Sequence, residues 1–157
     1  KNNIEVSSMG LMLDPDAAAA WRGPMLSGAI KQLSKSTMWG ELDYLLIDMP
    51  PGTGDAYLTI FKEMSIDGFI LISTPSLLSI ADVKKTISLV NKFKLPILGY
   101  IENNIFESKT NIKDDTFIEK KINKLGTFNF SNHMMNFNPE YINVQADNIS
   151  KSIIENV

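Results

Sequence analysis

The stretch best suited to chemistry is an aspartate that closes an apolar run and leads straight into a loop of prolines and glycines. Asp48 ends Tyr44-Leu45-Leu46-Ile47, and Met49-Pro50-Pro51-Gly52-Thr53-Gly54-Asp55 follows. An acid directly after an apolar strand sits at the carboxyl edge of a parallel sheet, where open α/β folds bind ligands. A carboxylate there can hold Mg²⁺, usually through water, beside the phosphates of a nucleotide. The two prolines stiffen the loop, while Gly52 and Gly54 let the backbone approach a phosphate closely. A plainer reading stands beside this one: a tight strand-to-helix turn in which Asp48 and Asp55 act only as caps.

The elements that must position this loop are legible as apolar patterns. Four runs read as strands: Ile4 to Met9, Tyr44 to Ile47, Phe69 to Ile72, and Ile97 to Ile101. The later runs are continuously apolar, as suits strands covered on both faces of a parallel sheet. Helical spacing fills the gaps. Pro24 opens a helix through Leu26, Ile30 and Leu33; Asp55 caps one through Leu58, Phe61 and Met64; Ser79 or Asp82 caps one through Val83, Ile87 and Val90. Strand and helix in alternation predict right-handed crossovers and a layered α/β fold. Beyond Asn104 the pattern fades. Glu107 to Asp115 reads as a polar loop, Thr116 to Leu125 and Gln145 to Val157 as helices, and Phe128 to Tyr141 has no clear period. The expectation is one domain over 1–157, with a motif-bearing core at 4–104 and a divergent part at 105–157.

Composition narrows the field. The 157 residues carry a net charge of −3 with acids and bases intermixed, so no basic stripe invites nucleic acid. There is no cysteine, which excludes a disulfide scaffold, a thiolate zinc site and a thiol nucleophile. No apolar run approaches the roughly 20 residues of a membrane span, and the first residues lack a signal-peptide core. The expected setting is the cytoplasm, without membrane contact. His133 is the only histidine and lies in an unpatterned stretch, and methionines more often fill core gaps than bind metal.

The Asp48 loop resembles the switch II region of Mrp-type (ApbC-type) P-loop ATPases, iron–sulfur cluster carriers related to the MinD and ParA proteins and the nitrogenase iron protein. Four further segments resemble the family in order: Trp21-Arg22-Gly23-Pro24-Met25, Trp39-Gly40-Glu41-Leu42-Asp43-Tyr44, Thr74-Pro75, and Leu98-Gly99-Tyr100-Ile101-Glu102-Asn103. The likeness covers Val6 to Asn103. It implies a mostly parallel α/β sheet with flanking helices and binding of ATP with Mg²⁺. It also implies a homodimer that delivers clusters to client apoproteins, with hydrolysis coupled to a change in the dimer. By the same resemblance Asp48 is a Mg²⁺-associated catalytic acid, Gly52 a γ-phosphate contact and Asn103 the amide that reads adenine. Arg22 falls near the nucleotide or the dimer interface, and Thr74 and Pro75 count among the cofactor-binding residues. The plainer alternatives are a strand-end amide for Asn103 and a surface ion pair for Arg22.

Two departures qualify these expectations. No Gly-x-x-x-x-Gly-Lys-[Ser/Thr] loop occurs, so the chain reads as beginning partway through such a domain, without its first strand and phosphate loop. Lacking those amides and that lysine, hydrolysis by these residues alone is expected to be negligible. Cluster-bearing members also place a Cys-x-x-Cys shortly after the Glu-Asn, whereas Asn104-Ile105-Phe106-Glu107-Ser108-Lys109-Thr110 stands here. Two other functions therefore stay open: a positioning ATPase of the MinD/ParA kind, and a pseudo-ATPase that serves as a binding module.

Overall fold

The computed structural model describes residues 4–11, 23–50, 52–104, 116–129, 131, 136 and 138–156. They fall into two compact units, Lys1–Ser65 and Ile66–Val157.

The first unit is built on a helix pair, α1 (Gly23–Ser36) and α2 (Asp55–Glu63), with a single 3-10 turn at Met9–Leu11. Pro24 stands in the first turn of α1, where its missing N–H removes no helical bond. Ala29, Ala56, Tyr57 and Ile60 are buried. Thr59 donates its hydroxyl to Ser27 Oγ across the pair at 2.9 Å. Glu63 accepts from Lys31 at 3.1 Å and Lys35 at 2.6 Å, two lysines one helical turn apart on α1. Those lysines, Lys35 first, hold the Glu63 carboxyl below its ordinary pKa of 4.5.

Two expected strands are absent from this unit. Ile4 to Met9 and Tyr44 to Ile47 join no ladder among the described residues. A strand needs a neighbour for its N–H and C=O groups, and an apolar run alone does not supply one. Leu46 accordingly stays 84% exposed. Residues 37–40 are instead tied to the first segment by Ser7 Oγ to Thr37 Oγ1 at 3.0 Å and by Gly40 N–H to Glu5 Oε2 at 3.3 Å. The cap of α2 also differs from expectation. Gly54 is the N-cap with no side-chain bond, and Asp55 is the first helical residue. There its charge favours the positive end of the helix.

The second unit is a three-stranded sheet in the order β1 (Phe69–Ser73), β2 (Ile97–Asn104), β3 (Lys124–Asn129), with both pairings parallel. Helix α3 (Leu77–Lys92) forms the β1–β2 crossover. Its cap is Ser76, which accepts from Ser79 N–H at 3.2 Å, so the helix starts ahead of the expected Ser79 or Asp82. Ser76 wins because its backbone is extended and its hydroxyl reaches the third N–H of the helix. On one side Leu71, Val83, Ile87 and Phe117 form a core, with Tyr100 stacked on Phe117 at 3.8 Å. The second core joins Ile101, Leu125 and Ile149.

Thr116 to Leu125 is not one helix. A short α4 (Thr116–Glu119) stops where Lys121 takes a left-handed φ of 54°, and the chain then enters β3. Lys124-Leu125-Gly126-Thr127 shows no apolar run, and it becomes a strand because β2 offers an edge to pair with. The terminal helix α5 (Pro139–Ile154) begins before the expected Gln145, capped by the Asn138 side chain on Glu140 N–H at 3.1 Å. The Glu107 to Asp115 loop lies outside the described residues.

Candidate functional site

In the first unit the candidate residues lie on the segment that leads into α2. Asp48 is exposed at the end of the Tyr44 to Ile47 stretch. Gly52 has φ +89°, a left-handed value that L-residues rarely adopt, and a Cβ placed there would touch nothing within 4 Å. Glycine is thus required by the backbone turn and not by crowding. The turn delivers the chain to Gly54 and to the N-terminus of α2, where unsatisfied N–H groups and the helix dipole favour an anion. Carboxylate, left-handed glycine and helix start fall within eight residues. The arrangement suits a phosphate bearing a hydrated cation.

In the second unit the parallel order places the ends of all three strands on one edge. Ser73 pairs with Glu102 and Asn103 with Phe128, so Thr74 and Pro75 after β1 and Asn103 near the end of β2 share that rim. Asn103 is half-buried. Thr74 is held by two bonds: its N–H donates to Ser79 Oγ at 3.0 Å, and its hydroxyl shares a bond with Ser76 Oγ at 3.2 Å. Arg22 and His133 lie outside the described residues.

Sequence reasoning missed two features of this sheet. Ser73 is 3% exposed, and its hydroxyl meets Ser79 Oγ at 3.2 Å, so three serines and a threonine lock the β1–α3 turn. The Ser76 and Ser79 spacing was the available signal. The other is the Lys124 to Glu102 ion pair at 3.2 Å, which depended on a third strand that the sequence did not reveal.

Among the described residues, no group of three or more His, Cys, Asp or Glu side chains could hold a metal ion, and no helix is long and apolar enough to cross a membrane. Mg²⁺ does not need such a group, because it keeps several waters and binds through one or two carboxylates plus phosphate. The single exposed Asp48 carboxylate fits that mode.

A parallel sheet with a helical crossover, and polar residues gathered at its carboxyl edge, is an α/β arrangement of the doubly wound kind. Comparison with known proteins agrees. A nucleotide-binding protein from Archaeoglobus fulgidus, solved in complex with ADP, superposes with a TM-score of 0.55 at 28% identity, covering 80% of this chain and 53% of that one. An iron–sulfur cluster carrier protein of Rickettsia conorii is 48% identical over 109 residues, 69% of this chain and 34% of the relative. One from Methanocaldococcus jannaschii is 50% identical over 105 residues, 66% of this chain and 36% of its own length. An Arabidopsis thaliana mitochondrial iron–sulfur protein required for NADH dehydrogenase is 43% identical over 100 residues, 64% of this chain and 32% of that protein. The chain spans about a third of the length of these curated relatives. The ParA-group profile described as NUBPL iron-transfer P-loop NTPase matches residues 1–139, and the chain belongs to this family.

Proposed function

We propose that the protein is a nucleotide-dependent iron–sulfur cluster carrier, of which these residues supply the switch II-like loop and the base-reading rim. The observation that carries the reading is the succession of an exposed Asp48, a left-handed Gly52 and the start of α2. Asp48 would hold Mg²⁺ through water, and the ion would supply positive charge to balance the phosphates. The Gly52 turn brings backbone N–H groups toward the terminal phosphate, where a change from triphosphate to diphosphate alters what the loop can grip. Asn103 offers both a donor and an acceptor to a base edge, with Thr74 and Pro75 shaping the rim beside it. Arg22 belongs to the same proposal as a contact to nucleotide or to a second copy.

The working assembly is a cytoplasmic homodimer that hands clusters to apoprotein clients. Residues 1–157 hold no glycine-lysine phosphate loop, so hydrolysis requires donors outside them. The test is calorimetric titration of the full-length protein with ATP and ADP, with and without Mg²⁺, beside Asp48→Ala and Asn103→Ala. Asp48→Ala should lose the Mg²⁺ dependence, and Asn103→Ala should weaken both nucleotides. Wild-type affinity in both variants defeats the site assignment.

The lack of cysteine favours a second reading, a positioning ATPase that dimerises on a membrane or DNA. ATP-dependent co-sedimentation of the full-length protein with anionic vesicles or duplex DNA would support it against the carrier.

A further inference from the structure

Iron–sulfur clusters are held by thiolates, with imidazole replacing two of them in a minority of centres. Residues 1–157 contain no cysteine and one histidine, His133. The remaining charged donors are carboxylates, hard oxygen ligands that suit Mg²⁺ and not a soft sulfur-bridged cluster. Even these do not converge: among the described residues no three His, Cys, Asp or Glu side chains form a metal-sized group. The eight methionines offer only neutral thioethers, which cannot balance the charge of a ferric cluster as thiolates do. A chain of an iron-transfer family thus presents a donor set that does not fit the iron–sulfur cargo.

We infer that these residues never ligate the cluster. They are the nucleotide-responsive part of the carrier, and the cargo rests on thiolates outside residues 1–157, in the same polypeptide or in a second, cysteine-bearing one. The inference rests on the carrier reading above and divides its labour: nucleotide chemistry uses hard oxygen donors and backbone N–H groups here, and cluster chemistry uses soft sulfur donors elsewhere.

The test is anaerobic reconstitution of the full-length protein with ferrous iron and sulfide, desalted before measurement. Iron and acid-labile sulfide are counted per chain, in the parent protein and in a version with every cysteine changed to serine. The cysteine-free protein should lose its labile sulfide to background while still binding ADP. A parent that holds a cluster then places the thiolates in the same polypeptide, and a parent that binds ADP but holds none counts against the carrier reading itself. Labile sulfide matching iron in the cysteine-free protein overturns the inference. Should the serine version unfold, electron–nuclear double resonance of the parent cluster decides instead. All-sulfur ligation supports the inference, and a nitrogen ligand lost in His133→Ala refutes it. Failure to bind ADP with sulfide at background counts against the nucleotide site alone.

Discussion

Replacing Gly52 by alanine separates backbone conformation from every other property of the candidate loop. The glycine has φ +89°, and an added Cβ would meet nothing within 4 Å, so no steric contact contributes to the effect. What remains is the penalty of a left-handed conformation for an L-residue, about 1–2 kcal/mol. If alanine lets the free loop relax, restoring the turn to grip phosphate costs that amount and lowers nucleotide affinity by about 5–30-fold. If the turn is kept instead, the same cost appears as a lower melting temperature, about 2–4 °C per kcal/mol in a chain of this size. Gly54→Ser is the contrast. Gly54 caps α2 at φ −87° with open space around it, and serine betters glycine as an N-cap by only about a few tenths of a kcal/mol, so a change in affinity there reports a side chain added beside the phosphate and not the backbone turn. Titration of the full-length variants with ATP and ADP, beside their melting curves, provides the measurement. Wild-type affinity together with wild-type melting in Gly52→Ala would show that neither binding nor folding depends on the left-handed turn, and the argument built on it would fail.

Three further outcomes follow from the packing. Gly126→Ala puts a Cβ 2.5 Å from Ile149 Cγ1, and overpacking at the β3–α5 contact should cost about 1–3 kcal/mol in urea unfolding, partly recovered by adding Ile149→Val. Lys94, the left-handed residue after α3 with φ 55°, should be bettered by glycine; Lys94→Gly is expected to raise stability by about 0.5 kcal/mol, seen as a higher denaturation midpoint. Glu63 has a folded pKa below its ordinary 4.5, so its stabilising effect is present above that value and disappears as pH falls through the folded pKa. Glu63→Gln should therefore be less stable than wild type at neutral pH and converge with it in acid, as pH-dependent unfolding will show.

Much of the sheet was readable because parallel strands buried on both faces leave unbroken apolar runs. Phe69 to Ile72 and Ile97 to Ile101 both became strands, with the helix through Val83, Ile87 and Val90 between them. The third strand escaped notice, since Gly126 and Thr127 interrupt its pattern and Gly126 is there to admit Ile149 of α5. Caps were misread for a similar reason. Ser76, Ser79 and Asp82 all have capping chemistry, and the backbone conformation at Ser76 makes the choice among them.

From its residues alone, the chain declared an α/β class and the lack of any thiolate in residues 1–157. These follow from side-chain type and local spacing, which travel with the polymer. Tertiary structure decided which apolar runs found hydrogen-bonding neighbours, leaving Tyr44 to Ile47 outside any described ladder and making a strand of Lys124 to Asn129. It also decided that Thr74 and Asn103, nearly thirty residues apart, share one rim. Strand pairing joins groups distant along the chain, and no local pattern encodes the partner.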